Sequence, residues 1–243
     1  MNPLILIPAR LAATRLPNKP LADIGGKPMI VRAYEQAKLS GFRVAVAAGD
    51  EAIVQVVKAA GGEAVLTDPE LPSGSDRIRV AADLLDPQGE HDVVINVQGD
   101  MPFASPELAK LCGALMAAHP QCDVATLVAS ETDASERTNP DVVKAVLAID
   151  ETGRSGRALY FTRSHLYGEG PVWHHVGIYG YRRDALNRFC AAPPSPLEKR
   201  EKLEQLRALE MGMQMWAAVI DEAPISVDNA EDLAAARAFA ASL

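Results

Sequence analysis

The chain is poor in several features that mark whole classes of protein. Its 243 residues include three cysteines, Cys112, Cys122 and Cys190, an odd number at spacings that suit neither a disulfide framework nor a zinc site. No apolar run approaches the roughly 18 residues that cross a bilayer. The apolar stretch at 4–8 is too short for a secretory signal and lacks a cationic start. We therefore expect a reduced, cytoplasmic protein with no stable membrane association.

Positively charged residues are also fewer than negatively charged ones. Lysine and arginine number 24 against 32 aspartates and glutamates, and the resulting formal net charge of −8 argues against a nucleic-acid binder. A small anion would need a local group of cations. The segment at 7–21, IPARLAATRLPNKPL, carries three of them, Arg10, Arg15 and Lys19, but lacks the GK[ST] ending of a Walker P-loop. Taken alone, these charges fit a solvated loop slightly better than a phosphate site.

Apolar runs alternate with segments of helical periodicity. Strands are predicted at 4–8, 42–48, 65–66, 93–97, 124–128, 143–149, 176–181 and 216–219, and helices at 28–40, 51–60, 78–86, 106–118, 196–212 and 230–241. The alternation predicts an α/β fold, with a Rossmann-like, mixed but mostly parallel sheet between helices. We expect one domain over residues 1–243. Within it, residues 130–215 alternate less regularly and are expected to form a small inserted subdomain.

Ligands of such sheets bind beyond the carboxyl ends of the strands, where four loops of this chain are expected to meet. These loops are 9–20, 67–77, 98–104 and 221–229. Asp100 follows the apolar run at 93–97 and suits either a Mg²⁺ ligand or a turn before Pro102. Asp228, with Glu231 three residues on, fits a capping box of the last helix, and it would also complete a metal site beside Asp100.

Three further polar segments each admit a plain explanation. LPSGSDR at 71–77 is small enough to let a flat ligand approach its backbone, although an exposed loop explains it more simply. In LEQLRALE at 203–210 the leucines have helical spacing, which leaves Glu204 and Gln205 on the solvated face. His174 and His175 are adjacent, so on a strand their side chains diverge and do not share a metal.

In this order the motifs resemble one family, the 3-deoxy-manno-octulosonate (Kdo) cytidylyltransferases, also called CMP-Kdo synthetases. The resemblance covers almost the whole chain. Its segments are IPARLAATRLPNKPLADIGGKPMI at 7–30, SGSDR at 73–77, INVQGD at 95–100, NPDVVKAVL at 139–147, ALYFTR at 158–163, HVGIYGYR at 175–182, SPLEKREKLEQLR at 195–207 and VDNAEDL at 227–233. The opening segment and the pair of VGIYGYR with SPLEKREKLEQLR are specific, whereas Gly-Asp alone carries no information.

The resemblance implies a fold of the nucleotide-diphospho-sugar transferase type and a reaction in which CTP and Kdo give CMP-Kdo and pyrophosphate, for lipopolysaccharide biosynthesis. It implies a homodimer, with residues 130–215 binding sugar and partner, and Mg²⁺ held by Asp100 and Asp228. The implied catalytic residues are Arg10, Arg15, Lys19, Asp100 and Asp228. The implied CTP-binding residues are Ala9, Arg10, Arg15, Lys19, Ser73, Gly74, Arg77, Gln98 and Asp100. The implied sugar-binding residues are Gln98, Arg163, His175, Tyr179, Glu204 and Gln205, of which Arg163 would take the sugar carboxylate.

The chain departs from the family pattern at three places. Met101 stands where the family usually has glutamate after Gly-Asp, Asp76 stands where glutamate is common, and the segment at 163–175 is short. These departures keep open the same reaction on 8-amino-Kdo or on another sugar acid such as sialic acid. A hypothesis of another class is a regulator that binds CTP without catalysing its transfer.

Overall fold

The computed structural model describes residues 1–12, 16–130, 134–168 and 170–243. Its contacts divide the chain into two compact units. One consists of Met1–Lys110 with Pro224–Leu243, and the other of Leu111–Ala223. The predicted subdomain at 130–215 falls within the second unit. That it belongs to a single domain, binds sugar and forms a dimer stays a prediction.

Strands and helices alternate along the chain. The strands are β1 (Pro3–Ala9), β2 (Asp23–Ile24), β3 (Lys27–Pro28), β4 (Arg43–Ala48), β5 (Ala64–Leu66), β6 (Val93–Asn96), β7 (Val124–Ser130), β8 (Lys144–Ile149), β9 (Ser155–Thr162), β10 (Trp173–Arg182) and β11 (Met215–Ile220). The helices are α1 (Met29–Lys38), α2 (Glu51–Ala59), α3 (Gly74–Leu85), α4 (Pro106–Ala118), α5 (Arg183–Ala191), α6 (Pro196–Glu201), α7 (Gln205–Glu210) and α8 (Ala230–Ala241).

Strand β1 is central to the parallel sheet of the first unit. It pairs with β4 on one side and β6 on the other, and β5 pairs with β4. Leu4, Ile5, Leu6 and Ile7 are fully buried, which requires cover on both faces of the strand and explains its continuous apolar run. The predicted parallel pairing is confirmed in this unit. Strands β2 and β3 form a separate hairpin ahead of α1.

The second unit mixes strand directions. Its strands follow the order β10, β7, β11, β9, β8, in which only β7 and β11 run parallel among these pairs of described strands. Strand β10 also meets β8 at Trp173 and His174. The predicted α/β class with a mixed sheet is confirmed, while the predominance of parallel pairs holds for the first unit alone.

Several elements differ from their predicted bounds. Helix α3 begins at Gly74 rather than at residue 78, because the Ser73 hydroxyl accepts a hydrogen bond from the Asp76 N–H (3.1 Å) and caps the first turn. The single helix predicted at 196–212 is two helices, since Lys202 adopts a left-handed φ of 56° between α6 and α7. Strand β9 and helix α5 lie where no element is predicted. Only alternate residues are buried along the first half of β9, so it shows no apolar run.

Among the described helices, none is both long enough and apolar enough to cross a membrane. Cys112, Cys122 and Cys190 form no disulfide within the part of the chain that the structure describes. Cys112 and Cys122 are buried, and this burial raises the pKa of both thiols to about 12. Cys190, on α5, is partly exposed.

Candidate active site

A cleft opens at the carboxyl ends of β1 and β6 in the first unit. It has a volume of about 320 Å³, and a second cavity of about 170 Å³ shares Pro8, Ala9, Arg10 and Gln98 with it. The remaining lining of the larger cavity is Ala12, Leu16, Lys19, Pro20, Met29, Gly99, Asp100 and Asp228. The smaller one adds Leu71, Ser73, Gly74 and Arg77. Lining residues come from each of the loops at 9–20, 67–77, 98–104 and 221–229, so the predicted convergence of these four loops is confirmed.

One lysine joins the two carboxylates of the cleft. The Lys19 Nζ atom lies 2.8 Å from Asp100 Oδ2 and 3.3 Å from Asp228 Oδ1. The Lys19 side chain is only 17% exposed. Lys19 is the first residue of a 3-10 turn, Lys19–Leu21, which follows Asn18 in a left-handed conformation. Three residues far apart in sequence thus form one partly buried charge cluster.

Asp228 does not cap the last helix, and the predicted capping box with Glu231 is wrong by one residue. The N-cap of α8 is Asn229, whose side chain accepts hydrogen bonds from the N–H groups of Glu231 and Asp232. Asp232 completes the box by accepting from the Asn229 N–H. The Asp228 side chain is therefore released from helix capping and points to Lys19. The neighbouring Val227 N–H donates to the Asp100 carbonyl (2.9 Å), which ties the two acidic loops together.

The residues present fit a hard divalent cation. Asp100 and Asp228 both reach one cationic atom, so their oxygens converge on a common point. Within the described residues, no group of three or more His, Cys, Asp or Glu side chains is placed to hold a metal. Mg²⁺ commonly takes one or two carboxylates and completes its octahedron with water and phosphate oxygens. A two-carboxylate site in a cleft lined by cations suits a metal that arrives with a phosphate.

The opening loop is anchored from the neighbouring strand. The Leu11 N–H donates to Asp50 Oδ2 (2.8 Å), and the Gly49 N–H donates to the Ala9 carbonyl (2.8 Å). Arg10, between these anchors, is exposed and lines both cavities. Arg15, predicted to bind the triphosphate, lies outside the described residues. The backbone on both sides of Arg10 is thus braced, and it presents this side chain to the cleft.

The first turn of α3 forms one side of the smaller cavity, so the segment at 73–77 is not the plain exposed loop that its composition suggested. Ser73 caps the helix and Gly74 follows it, so both lie at the helix N-terminus. Arg77 is 2% exposed, and its guanidinium donates to Thr67 Oγ1 (2.6 Å) and to the Asp68 carbonyl (3.0 Å). Burial, and then the charge of Arg10, lower the pKa of Arg77. Arg77 therefore braces the loop at 67–69 besides lining the cavity.

The sugar-binding residues predicted after residue 111 lie in the second unit. His175 Nδ1 is 3.5 Å from Gln205 Nε2, and its ring lies 5.5 Å from that of Tyr179. Burial, followed by the charge of Glu204, raises the pKa of Tyr179. These four side chains therefore form one cluster. Gln205 is buried, so its prediction as a solvated helix residue is wrong, since α7 starts there and turns it inward.

Arg163 contacts a different segment. Its Nη1 donates to the Pro140 carbonyl (3.0 Å) and its carbonyl accepts from Lys144 Nζ (2.8 Å). Lys144 is fully buried and also donates to the carbonyls of Asn139 (2.7 Å) and Val142 (2.9 Å). Lys144 is not among the residues predicted from the sequence. The signal was available, since VVKAVL places a charged residue inside an apolar strand. His174 and His175 diverge as predicted, with His174 Nδ1 3.7 Å from Glu136 Oε2.

Comparison with known proteins gives concordant matches. A family model described as cytidylyltransferase matches residues 4–215. A 3-deoxy-manno-octulosonate cytidylyltransferase from Parvibaculum lavamentivorans is 56% identical over 239 residues, which cover 98% of this chain and 92% of the relative. One from Rhodospirillum centenum is 55% identical over 241 residues, covering 98% and 93%.

Solved structures of cytidylyltransferases are also similar to this chain. CMP:2-keto-3-deoxy-manno-octonic acid synthetase complexed with CTP superposes with a TM-score of 0.90 at 36% identity, covering 100% of this chain and 99% of that one. A cytidylyltransferase from Leptospira borgpetersenii, at 16% identity and a TM-score of 0.67 over 100% and 88% of the two chains, shares the fold. The chain belongs to the cytidylyltransferase family, among the 3-deoxy-manno-octulosonate cytidylyltransferases.

Proposed function

We propose that this chain transfers CMP from CTP to the anomeric hydroxyl of Kdo, with release of pyrophosphate, for lipopolysaccharide biosynthesis. The observation that carries the proposal is the cleft, where Arg10 and Lys19 stand beside two carboxylates. A triphosphate requires cations and a hard metal requires carboxylate oxygens, and the cleft supplies both. The choice of Kdo is supported by relatives of that name at 55% and 56% identity.

In the proposed reaction the sugar hydroxyl attacks the α-phosphorus of CTP while the bond to the bridging oxygen of pyrophosphate breaks. Catalysis of this kind is mostly positioning and charge neutralisation. Arg10 and Arg15 would grip triphosphate oxygens, and Lys19 would turn from the carboxylates to the departing pyrophosphate. Asp100 and Asp228 would hold Mg²⁺, which when bound neutralises phosphate charge and favours the alkoxide of the attacking hydroxyl.

The smaller cavity is proposed to take the cytosine. Ser73 and Gly74 offer main-chain groups at the start of α3, where a flat base can approach closely. Ala9 and Gln98 line both cavities, as expected of residues that contact the nucleotide between its base and its phosphates. Arg77 would act on the base through the loop at 67–69, because its guanidinium is bonded there.

The cluster of the second unit is proposed to bind the sugar, together with Gln98. His175, Tyr179, Glu204 and Gln205 are the side chains assigned to this role, and Arg163 is assigned to the sugar carboxylate. We further propose a homodimer that works in the cytoplasm. The homodimer is implied by the family resemblance and the cytoplasm by the composition of the chain, and analytical ultracentrifugation tests the first directly.

Pyrophosphate release with CTP and Mg²⁺ tests the function. Four reactions are compared, with Kdo, 8-amino-Kdo, sialic acid and no sugar, and CTP binding is measured separately by calorimetry. Release with Kdo alone supports the proposal. Release that prefers sialic acid, or CTP binding without release from any sugar, would falsify it, the second result favouring a regulator.

Met101 makes 8-amino-Kdo a specific second candidate. It replaces the glutamate usual in the family, yet its side chain is buried and its N–H donates to the Gln98 carbonyl (3.2 Å). The turn that carries Asp100 is therefore intact, and only a carboxylate is missing from it. Preference for the amino sugar in the same assay would keep the mechanism and change the acceptor.

A further inference from the structure

A buried polar chain runs through the sugar cluster of the second unit and continues beyond it. Thr126, on β7, is fully buried, and its Oγ1 lies 3.0 Å from His175 Nε2. The same oxygen lies 3.0 Å from the Ile178 carbonyl and 3.3 Å from the Val176 carbonyl. On the other side of the imidazole ring, His175 Nδ1 meets Gln205 Nε2. Nothing in the sequence VATLVAS distinguishes this threonine from a core residue.

The hydroxyl determines which ring nitrogen of His175 carries the proton. A threonine hydroxyl has one hydrogen, and a carbonyl oxygen can only accept. The hydrogen of Thr126 therefore goes to a β10 carbonyl, and Oγ1 accepts from His175 Nε2–H. Nδ1 is left with its lone pair, so the Gln205 side chain must present its NH₂ group there. The opposite tautomer would set Oγ1 against two carbonyl oxygens with no hydrogen between them.

The surroundings keep this arrangement in place. Strand β10 pairs regularly with β7 up to Val176 and resumes at Tyr179, so the residues between them form a bulge opposite Thr126. The Thr126 hydroxyl faces the Val176 carbonyl before this bulge and the Ile178 carbonyl within it. Burial, and then the neighbouring His174, lower the pKa of His175 to about 3, so the ring stays neutral and a single proton decides its polarity.

We propose that Thr126 is a positioning residue of the sugar pocket, whose hydroxyl holds His175 as the Nε2–H tautomer and thereby fixes the orientation of the Gln205 amide. The inference rests on the proposed sugar-binding role of His175 and Gln205. Thr126 itself does not touch the sugar. It sets which of the cluster's groups donate and which accept, and this pattern is what distinguishes one arrangement of sugar hydroxyls from another.

The first test reads the tautomer in the wild-type protein. Long-range proton–nitrogen correlation spectra of the imidazole rings report the tautomer of each histidine, and His175→Gln identifies the His175 signals among the five. We expect a protonated Nε2 and an unprotonated Nδ1 in the wild-type protein. A wild-type ring protonated at Nδ1 overturns the proposal outright, whatever sugar the enzyme uses.

The second test uses Thr126→Val, which keeps the shape and removes the hydroxyl, with Thr126→Ser as the matched control that restores it. We expect the His175 tautomer to change or become mixed in Thr126→Val. The Michaelis constant for Kdo should rise roughly tenfold, as for the loss of one buried hydrogen bond, with that for CTP within about twofold. Thr126→Ser should recover both the tautomer and the constant.

The outcomes separate this inference from the proposed function. An unchanged tautomer in folded Thr126→Val protein overturns the positioning role. A changed tautomer with an unchanged constant for Kdo shows that the cluster does not bind sugar, and it overturns both the inference and the assignment of His175. Equal increases in the constants for Kdo and CTP indicate a general packing defect and also overturn it.

Discussion

Lys19 is the residue on which the charges of the cleft depend. Its ammonium lies within 3.3 Å of both carboxylates that are proposed to hold Mg²⁺. In the proposed site, lysine and metal would compete for Asp100 and Asp228, and a triphosphate would favour the metal by drawing the lysine away. Metal binding should thus be weak without nucleotide and strong with it.

Lys19→Met should strengthen metal binding in the absence of nucleotide. Removing an ammonium that contributes up to about 1 kcal/mol through such a pair should tighten Mn²⁺ binding about fivefold, measured by electron paramagnetic resonance of free Mn²⁺. Lys27→Met is the matched control, because Lys27 pairs with Glu35 on the surface (2.8 Å) and its loss changes net charge equally. Unchanged or weaker Mn²⁺ binding in Lys19→Met would contradict this competition.

Asp228→Asn should inactivate the enzyme without unfolding it. Asn229, not Asp228, caps α8, so the free energy of unfolding should change by less than about 0.5 kcal/mol. Turnover should fall at least about a hundredfold, because an electrostatic contact to the reacting groups is lost. Asn229→Ala is the counterpart, expected to cost about 1 kcal/mol of stability while activity persists. A fully active Asp228→Asn enzyme would remove Asp228 from the site.

His175 should make the protein sensitive to acid. The unfolded side chain takes up a proton near pH 6.5, whereas the folded one resists until about pH 3. The unfolded state therefore binds more protons in this window, and stability falls as the pH falls through it, by up to about 1.4 kcal/mol per pH unit. The free energy of unfolding, measured by urea denaturation between pH 7.5 and pH 5, should depend less steeply on pH in His175→Gln than in the wild-type protein. The exposed His165 supplies the control, and His165→Gln should keep the wild-type slope.

At the scale of elements, a single side chain joins β8 to two loops. The three bonds of Lys144 connect the segment at 139–142 with the end of β9 at Arg163. Because the Lys144 side chain is fully buried, its replacement removes the donor from three carbonyl groups.

Lys144→Met should therefore lower the free energy of unfolding by about 2–3 kcal/mol, measured by urea denaturation. Methionine matches the length of lysine, so the loss reflects the three bonds and not a cavity. Lys199→Met, at an exposed position on α6, should change stability by less than about 0.5 kcal/mol. Equal stability of the two variants would show that the three hydrogen bonds from Lys144 to carbonyl groups do not stabilise the fold.

The elements also show what sequence patterns can predict. Strand β1 and helices α4 and α8 follow from apolar runs and helical spacing, because their burial is regular. The break at Lys202 could not be predicted, since a lysine with a left-handed backbone carries no local signal. The start of α3 was predictable in principle, because Ser73 and Asp76 have the spacing of an N-cap. The position of Asp100 was predictable, because ligands of such sheets bind beyond the carboxyl ends of the strands. Its contact with Lys19 was not, because the two residues lie on separate loops far apart in sequence.

At the scale of the whole molecule, the residues proposed to bind the nucleotide and those proposed to bind the sugar belong to different units, apart from Gln98. Every described lining residue of the two cavities lies in the first unit. Adding CTP with Mg²⁺ should therefore slow hydrogen exchange mainly at 8–20, 71–77 and 98–101, as followed by mass spectrometry. Protection confined to 111–223 would contradict the placement of the nucleotide. UTP at the same concentration serves as the control for base recognition.

The uneven burial of the three thiols makes the protein selective toward alkylating reagents. The thiolate is the reactive form, and Cys112 and Cys122 reach it only at a pH far above neutrality. A maleimide dye added to the native enzyme should consequently attach at Cys190 and spare the other two. The chain thus accepts one fluorophore at a defined position on α5 without any engineering.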